Sequence, residues 1–268
     1  MLSRPSRFPG FLACAFLGLA LLLAHAIAAG AVEPRWPDER IAGSFVFHAD
    51  HSLSKHRDLL NELSGLQRDL IQTLNSGRTR TPIHLFLFAK RSTYETYMNT
   101  YFPEVPFRRA LYVKYDDNGL VFAYQSDDFD VDVRHESTHA LLHSDLPMVP
   151  LWLDEGLAEY FEMSPDQRAF GSPHLKMTKW SAWLGLVPEI EDLEEIESLN
   201  EMGAREYRGA WAWTHFMLHG SKQAHTELVR YLADIRAHKP PGALSERLRR
   251  GIPDLERRFT EHFRSWKR

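Results

Sequence analysis

The order of predicted elements makes this an α+β chain, with a small lobe of mixed sheet and helix followed by a mainly helical lobe. Three observations predict it. Up to about residue 145, short β-rich runs alternate with stretches of helical spacing; beyond 146 the apolar residues recur only at helical spacing. Pro147 and Pro150 interrupt the chain at the junction. The composition, 44% hydrophobic and 25% charged over 268 residues, is that of an ordinary globular protein able to bury a real core. We read residues 32–268 as a single domain, with 32–145 as the α/β lobe and 146–268 as the helical lobe.

Ile41 to His48 reads as a first strand. Ser52 to Asn75 carries Leu59, Leu60, Leu63, Leu66, Leu70, Ile71 and Leu74 at helical intervals, and Ser76-Gly77 ends that helix. Pro82 to Ala89 is rich in β-formers, and Arg91 to Tyr101 reads as a short helix. Leu111 to Tyr115 and Leu120 to Tyr124 form a predicted hairpin, with Asn118-Gly119 in its turn. Asp130 to His143 and Leu153 to Met163 are predicted helices on either side of the prolines. Leu175 to Leu184, Glu206 to His219, His225 to Ile235 and Leu255 to Trp266 complete the helical half. Trp180, Trp183, Trp211 and Trp213 read as core rather than a binding shelf.

The first thirty residues differ in kind. Arg4 and Arg7 precede an apolar run from Phe11 to Ala24, and small residues follow in Ala26-Ile27-Ala28 and Ala29-Gly30-Ala31. This is the pattern of a secretory signal peptide, residues 1–31, with cleavage expected after 28 or 31. The chain is then exported, periplasmic or secreted; uncleaved, residues 11–31 would anchor it in a membrane. The single cysteine, Cys14, lies inside this segment, so the mature chain can form no disulfide and use no thiol nucleophile. The net charge of −4 gives no reason to expect a nucleic-acid partner. Most of the fourteen histidines lie outside any metal-like spacing and read as surface residues.

His135-Glu136-Ser137-Thr138-His139 is the exception. On a helix the two histidines stand about 40° apart around the axis and one turn apart along it, so both imidazoles reach a single zinc ion. Glu136 lies on the rim of that face, where it can take a proton from the attacking water. Two residues compete for the third ligand position. Asp145 requires a sharp turn with positive φ at position 142, where Leu142 stands instead of glycine. Glu155 requires only a second helix packed beside the first, which the prolines and the apolar Leu157, Tyr160 and Phe161 supply. Glu155 is the better candidate.

His135-Glu136-x-x-His139 followed by Trp152-Leu153-Asp154-Glu155-Gly156-Leu157-Ala158-Glu159-Tyr160-Phe161-Glu162 resembles the gluzincin zinc metallopeptidases. It is similar to their peptidase-MA-like domains and, through the W-L-x-E-G-x-A-x-Y-x-E pattern, to the aminopeptidase branch. The resemblance implies a thermolysin-like zincin catalytic domain, one zinc ion on His135, His139 and Glu155, and Glu136 as general base. The interval between the second histidine and the glutamate is shorter than in the aminopeptidases. Downstream, Glu206-Tyr207-Arg208-Gly209-Ala210 is similar to the Tyr-x-Lys-Gly-Ala segment of that branch, with the tyrosine one residue nearer the Gly-Ala pair. Carried over, Tyr207 donates its hydroxyl to the oxyanion. Its alternative as donor is His215, and the bland reading is a packing stripe of Tyr207, Trp211, His215 and Leu218.

Glu159 and Glu162 both fall near the Glu155 face of their helix, and either can steady a zinc histidine. His143 reads as a rim residue. The sequence has no Gly-x-Met-Glu-Asn segment, which in the aminopeptidase branch grips a free amino terminus. The expected activity is therefore an endopeptidase acting on a peptide or protein, with the Leu111–Tyr124 hairpin as an edge for an extended substrate. The alternative is a non-catalytic zinc-binding factor of envelope assembly on the same fold.

Overall fold

The computed structural model describes residues 35–79, 81–115 and 118–267. The expected signal segment lies outside them. Among the described residues no helix is long and apolar enough to cross a membrane.

The fold is mixed α/β, with a five-stranded sheet and ten α-helices among the described residues. The strands are β1 (Asp38–Ala42), β2 (Phe45–Ala49), β3 (Ile83–Phe88), β4 (Ala110–Tyr115) and β5 (Asn118–Tyr124), in the order β1-β2-β3-β5-β4. β2, β3 and β5 run parallel; β1 and β4 are antiparallel edges. The helices are α1 (Arg57–Leu74), α2 (Arg91–Tyr101), α3 (Phe129–Asp145), α4 (Leu151–Phe161), α5 (His174–Trp183), α6 (Ile190–Glu194), α7 (Ala204–His219), α8 (Lys222–Arg236), α9 (Leu244–Gly251) and α10 (Leu255–Ser265).

Both sheet faces are covered, as the alternation within each strand requires. Phe45, Phe47, Leu85, Val121 and Ala123 belong to one core that continues through α1, α3 and α4 into the C-terminal helices, ending at Phe263. Phe88, Phe122 and Tyr124 point the other way and pack with Tyr94 and Met98 of α2. The two halves thus share a single apolar core.

Several expectations need correction. Ile41 to His48 is two antiparallel strands, because Gly43 takes a left-handed φ of 61° and reverses the chain. The helix expected over 52–75 begins only at Arg57 and ends at Leu74, capped by Asn75, itself left-handed at φ 52°. Asn118 and Gly119 lie on β5, not in the turn: Asn118 pairs with Tyr115 and Gly119 with Lys114. Trp211 and Trp213 are core, but Trp180 and Trp183 are 56% and 69% exposed.

Candidate active site

α3 lies against β4 and β5 with Val133, Ser137 and Ala140 buried, which turns His135, Glu136 and His139 toward a cleft. The carbonyl of Pro150 accepts the N–H groups of Leu153 and Asp154, so the first turn of α4 closes directly after the proline and the helix runs beside α3. Glu155 arrives opposite the histidines. His135 Nε2 and His139 Nε2 are 3.2 Å apart, and Glu155 oxygens stand 3.5 Å and 3.9 Å from them. Ligands at ordinary zinc distances on a tetrahedral ion are separated by about 3.3 Å.

The opposite edge of each imidazole faces a carboxylate. Glu162 Oε2 is 2.9 Å from His135 Nδ1. Asp154 Oδ2 is 3.1 Å from His139 Nδ1, close but poorly aligned, and 2.8 Å from His143 Nε2. These partners favour the proton on Nδ1 of both zinc-candidate rings and leave two Nε2 lone pairs beside a third anionic donor. That donor set fits zinc. Burial opposes charge on His135, yet Glu155, Glu162 and Glu136 hold its imidazole well above the ordinary value. Asp154 is buried too, and His139 and then His143 hold its carboxyl well below the usual range.

Glu136 Oε2 accepts the backbone N–H of Tyr112 at 2.7 Å. Edge strand β4 therefore fixes the carboxylate at the mouth of the cleft, and the Tyr112 ring stacks on His143 at 5.7 Å. Tyr207, the fourth residue of α7, lines the same cleft, which encloses about 840 Å³. Burial first, then the Glu155 charge, pushes its phenol up to about 12, so it is a proton donor at neutral pH. The structure thus brings His135, Glu136, His139, Glu155 and Tyr207 to one cavity.

The rivals go elsewhere. Asp145 pairs with Arg236 of α8 at 2.8 Å, at the far end of α3. His215 is fully buried, in keeping with the packing-stripe reading and not with a donor at the cleft, and is 3.0 Å from His262 and 3.1 Å from the carbonyl of Ala169. Of the two glutamates, Glu162 serves His135, while Glu159 pairs with His174 of α5 at 3.0 Å. Asp154 and Arg134 were not foreseen. Arg134 is buried, donates to Glu62 at 2.7 Å and to the Glu162 carbonyl, and so anchors the end of α4 where Glu162 is held. Its position beside His135 on the motif helix was the only available signal.

No protein-family model matches the chain, and no curated protein matches it.

Proposed function

We propose that the protein is a zinc-dependent endopeptidase with a thermolysin-like zincin domain, of the gluzincin type that its motifs resemble. The observation that carries this reading is the convergence of His135 Nε2, His139 Nε2 and Glu155 at distances suited to one tetrahedral zinc, with Glu136 beside them. Zinc there would polarise a peptide carbonyl and acidify the attacking water. Glu136 takes the proton from that water and passes it to the leaving amine. Tyr207 donates its hydroxyl to the carbonyl oxygen as negative charge develops. The free side of β4 supports an extended peptide across the cleft.

The cleft carboxylates favour internal cleavage. Asp128 and Asp132 pair with Arg109, Glu159 with His174 and Glu162 with His135. These acids are engaged, and a free amino terminus would have to displace one of these partners. The hydrogen bond that holds Glu136 at the cleft also speaks against a purely structural zinc protein, which has no use for a positioned base.

The purified chain is expected to hold one zinc, and Glu136→Gln to keep it while losing roughly a hundred- to ten-thousand-fold in peptide hydrolysis. Metal analysis and a peptide-library digest check both. Absence of stoichiometric zinc, or unchanged hydrolysis by the variant, overturns the mechanism.

A further inference from the structure

The large apolar side chains exposed among the described residues are unevenly placed. Five of eight, Met177, Trp180, Trp183, Leu184 and Leu186, fall within ten residues. At 100° per residue, Lys176, Met177, Trp180, Trp183 and Leu184 occupy about 120° of the α5 surface. The opposite face carries the small, buried Thr178 and Ala182. α5 is therefore amphipathic in reverse, with its bulky apolar side turned outward. It is held that way: Arg264 donates to the carbonyls of Ala182 and Trp183 at 2.9 Å each, and Lys179 to that of Trp266 at 2.7 Å.

Within the segment that carries this stripe the charge has one sign. From His174 to Pro188 the chain has two lysines and no carboxylate, in a protein of net charge −4. Beside the stripe, a cavity of about 270 Å³ is lined by Ser181, Leu186, Arg205 and Arg208 among others, with no carboxylate. Arg205 also borders a neighbouring cavity that contains Glu189, Asp192, Glu201 and Glu206, so Arg208 is the cation that this one has to itself.

We propose that the outer face of α5 docks on an anionic phospholipid surface, with Trp180 and Trp183 at headgroup depth and Lys176 and Arg208 toward the lipid phosphates. Tryptophan is suited to that depth because its ring is apolar and its N–H is wet, and flanking cations add attraction to anionic lipid. A symmetric dimer through the same face would set the basic rim of one copy against that of the other. α5 begins at His174, which lines the active-site cleft, and Trp183 lies about 14 Å further along the helix. Docking therefore holds the cleft near substrates at the membrane. It requires neither zinc nor Glu136.

The test uses the full chain with phosphatidylcholine vesicles, with and without phosphatidylglycerol, carrying brominated acyl chains. Residues 1–34 contain no tryptophan, so the apolar run Phe11–Ala24 brings no quenchable ring of its own into the bilayer. Quenching is expected on the anionic vesicles, weakened by salt, equal in Glu136→Gln, and lost in Trp180→Ser/Trp183→Ser with unchanged circular dichroism. Lys176→Glu is expected to weaken vesicle binding about tenfold. No quenching of the wild type, quenching that survives the double substitution, or a tryptophan-dependent dimer without vesicle binding each overturns the proposal.

Discussion

At the residue scale, four acids on one stretch of chain divide four histidines among them. Asp154 faces His139 and His143, Glu155 faces both zinc-candidate nitrogens, Glu159 holds His174 and Glu162 holds His135. The division of labour is open to test by charge removal. Asp154→Ala and Glu162→Ala should each weaken zinc binding roughly ten- to a hundredfold, since each frees one histidine from the carboxylate that orients it. Glu159→Ala should change zinc affinity far less. Competition with a chelator reads all three; equal losses would mean that charge alone, not orientation, is at stake. The convergence of His135, His139 and Glu155 was legible because helical spacing fixes which residues share a face. Asp154 was not legible, because an acid at the start of a helix reads as a response to the helix dipole. Only the packing of α4 beside α3 carries it to the His139 ring.

At the element scale, the position of Glu155 depends on a crossing that the next residue permits. A Cβ on Gly156 would stand 2.5 Å from Thr214 Oγ1 and 2.6 Å from the Ala210 carbonyl, both on α7. α4 and α7 are therefore in close contact beside Glu155. Gly156→Ala should push them apart at a cost of about 1–3 kcal/mol, the usual penalty of overpacking, and weaken zinc binding with it. Urea denaturation of the metal-free protein reads the first effect and chelator competition the second. A variant with wild-type stability would show that the crossing tolerates a methyl group. Close approach of this kind is written in the sequence as one glycine, without its partner. Elsewhere the long helices were legible from their period. The short α6 and α9 were not, because five and eight residues barely establish one. The β1–β2 reversal was missed because the β-rich residues on both sides of Gly43 read as one run, though that glycine was its visible mark.

At the scale of the whole molecule, a set of histidines ties α4 and α7 to α10 and Trp266. His215 on α7 lies 3.0 Å from His262 on α10, and His219 lies 2.8 Å from the Tyr160 hydroxyl on α4. Trp266 packs against His215, His219 and His262 and donates its indole N–H to the Ala169 carbonyl. Burial, with His219 adding to it, lowers His215 from 6.5 to about 3 and His262 from 6.5 to about 4. The sign follows from linkage. Above the ordinary value both states are neutral, and the pair contributes no pH dependence. Below it the unfolded chain binds protons that the folded chain refuses, so stability falls until the folded values are reached. Acidification from about pH 6.5 to about 4 should therefore cost on the order of 3 kcal/mol through this pair, at ~1.4 kcal/mol per unit of displacement and with the two sharing one environment. His262→Gln keeps a hydrogen-bonding side chain and removes one titration, so its urea midpoint should fall less steeply over that range than the wild type's. His135 and His139 are unchanged in both proteins, so the difference between the two profiles isolates the cluster; parallel profiles would place the acid sensitivity elsewhere. Because α4 carries both Glu155 and Tyr160, protonation of this cluster should loosen the helix that carries the proposed third zinc ligand.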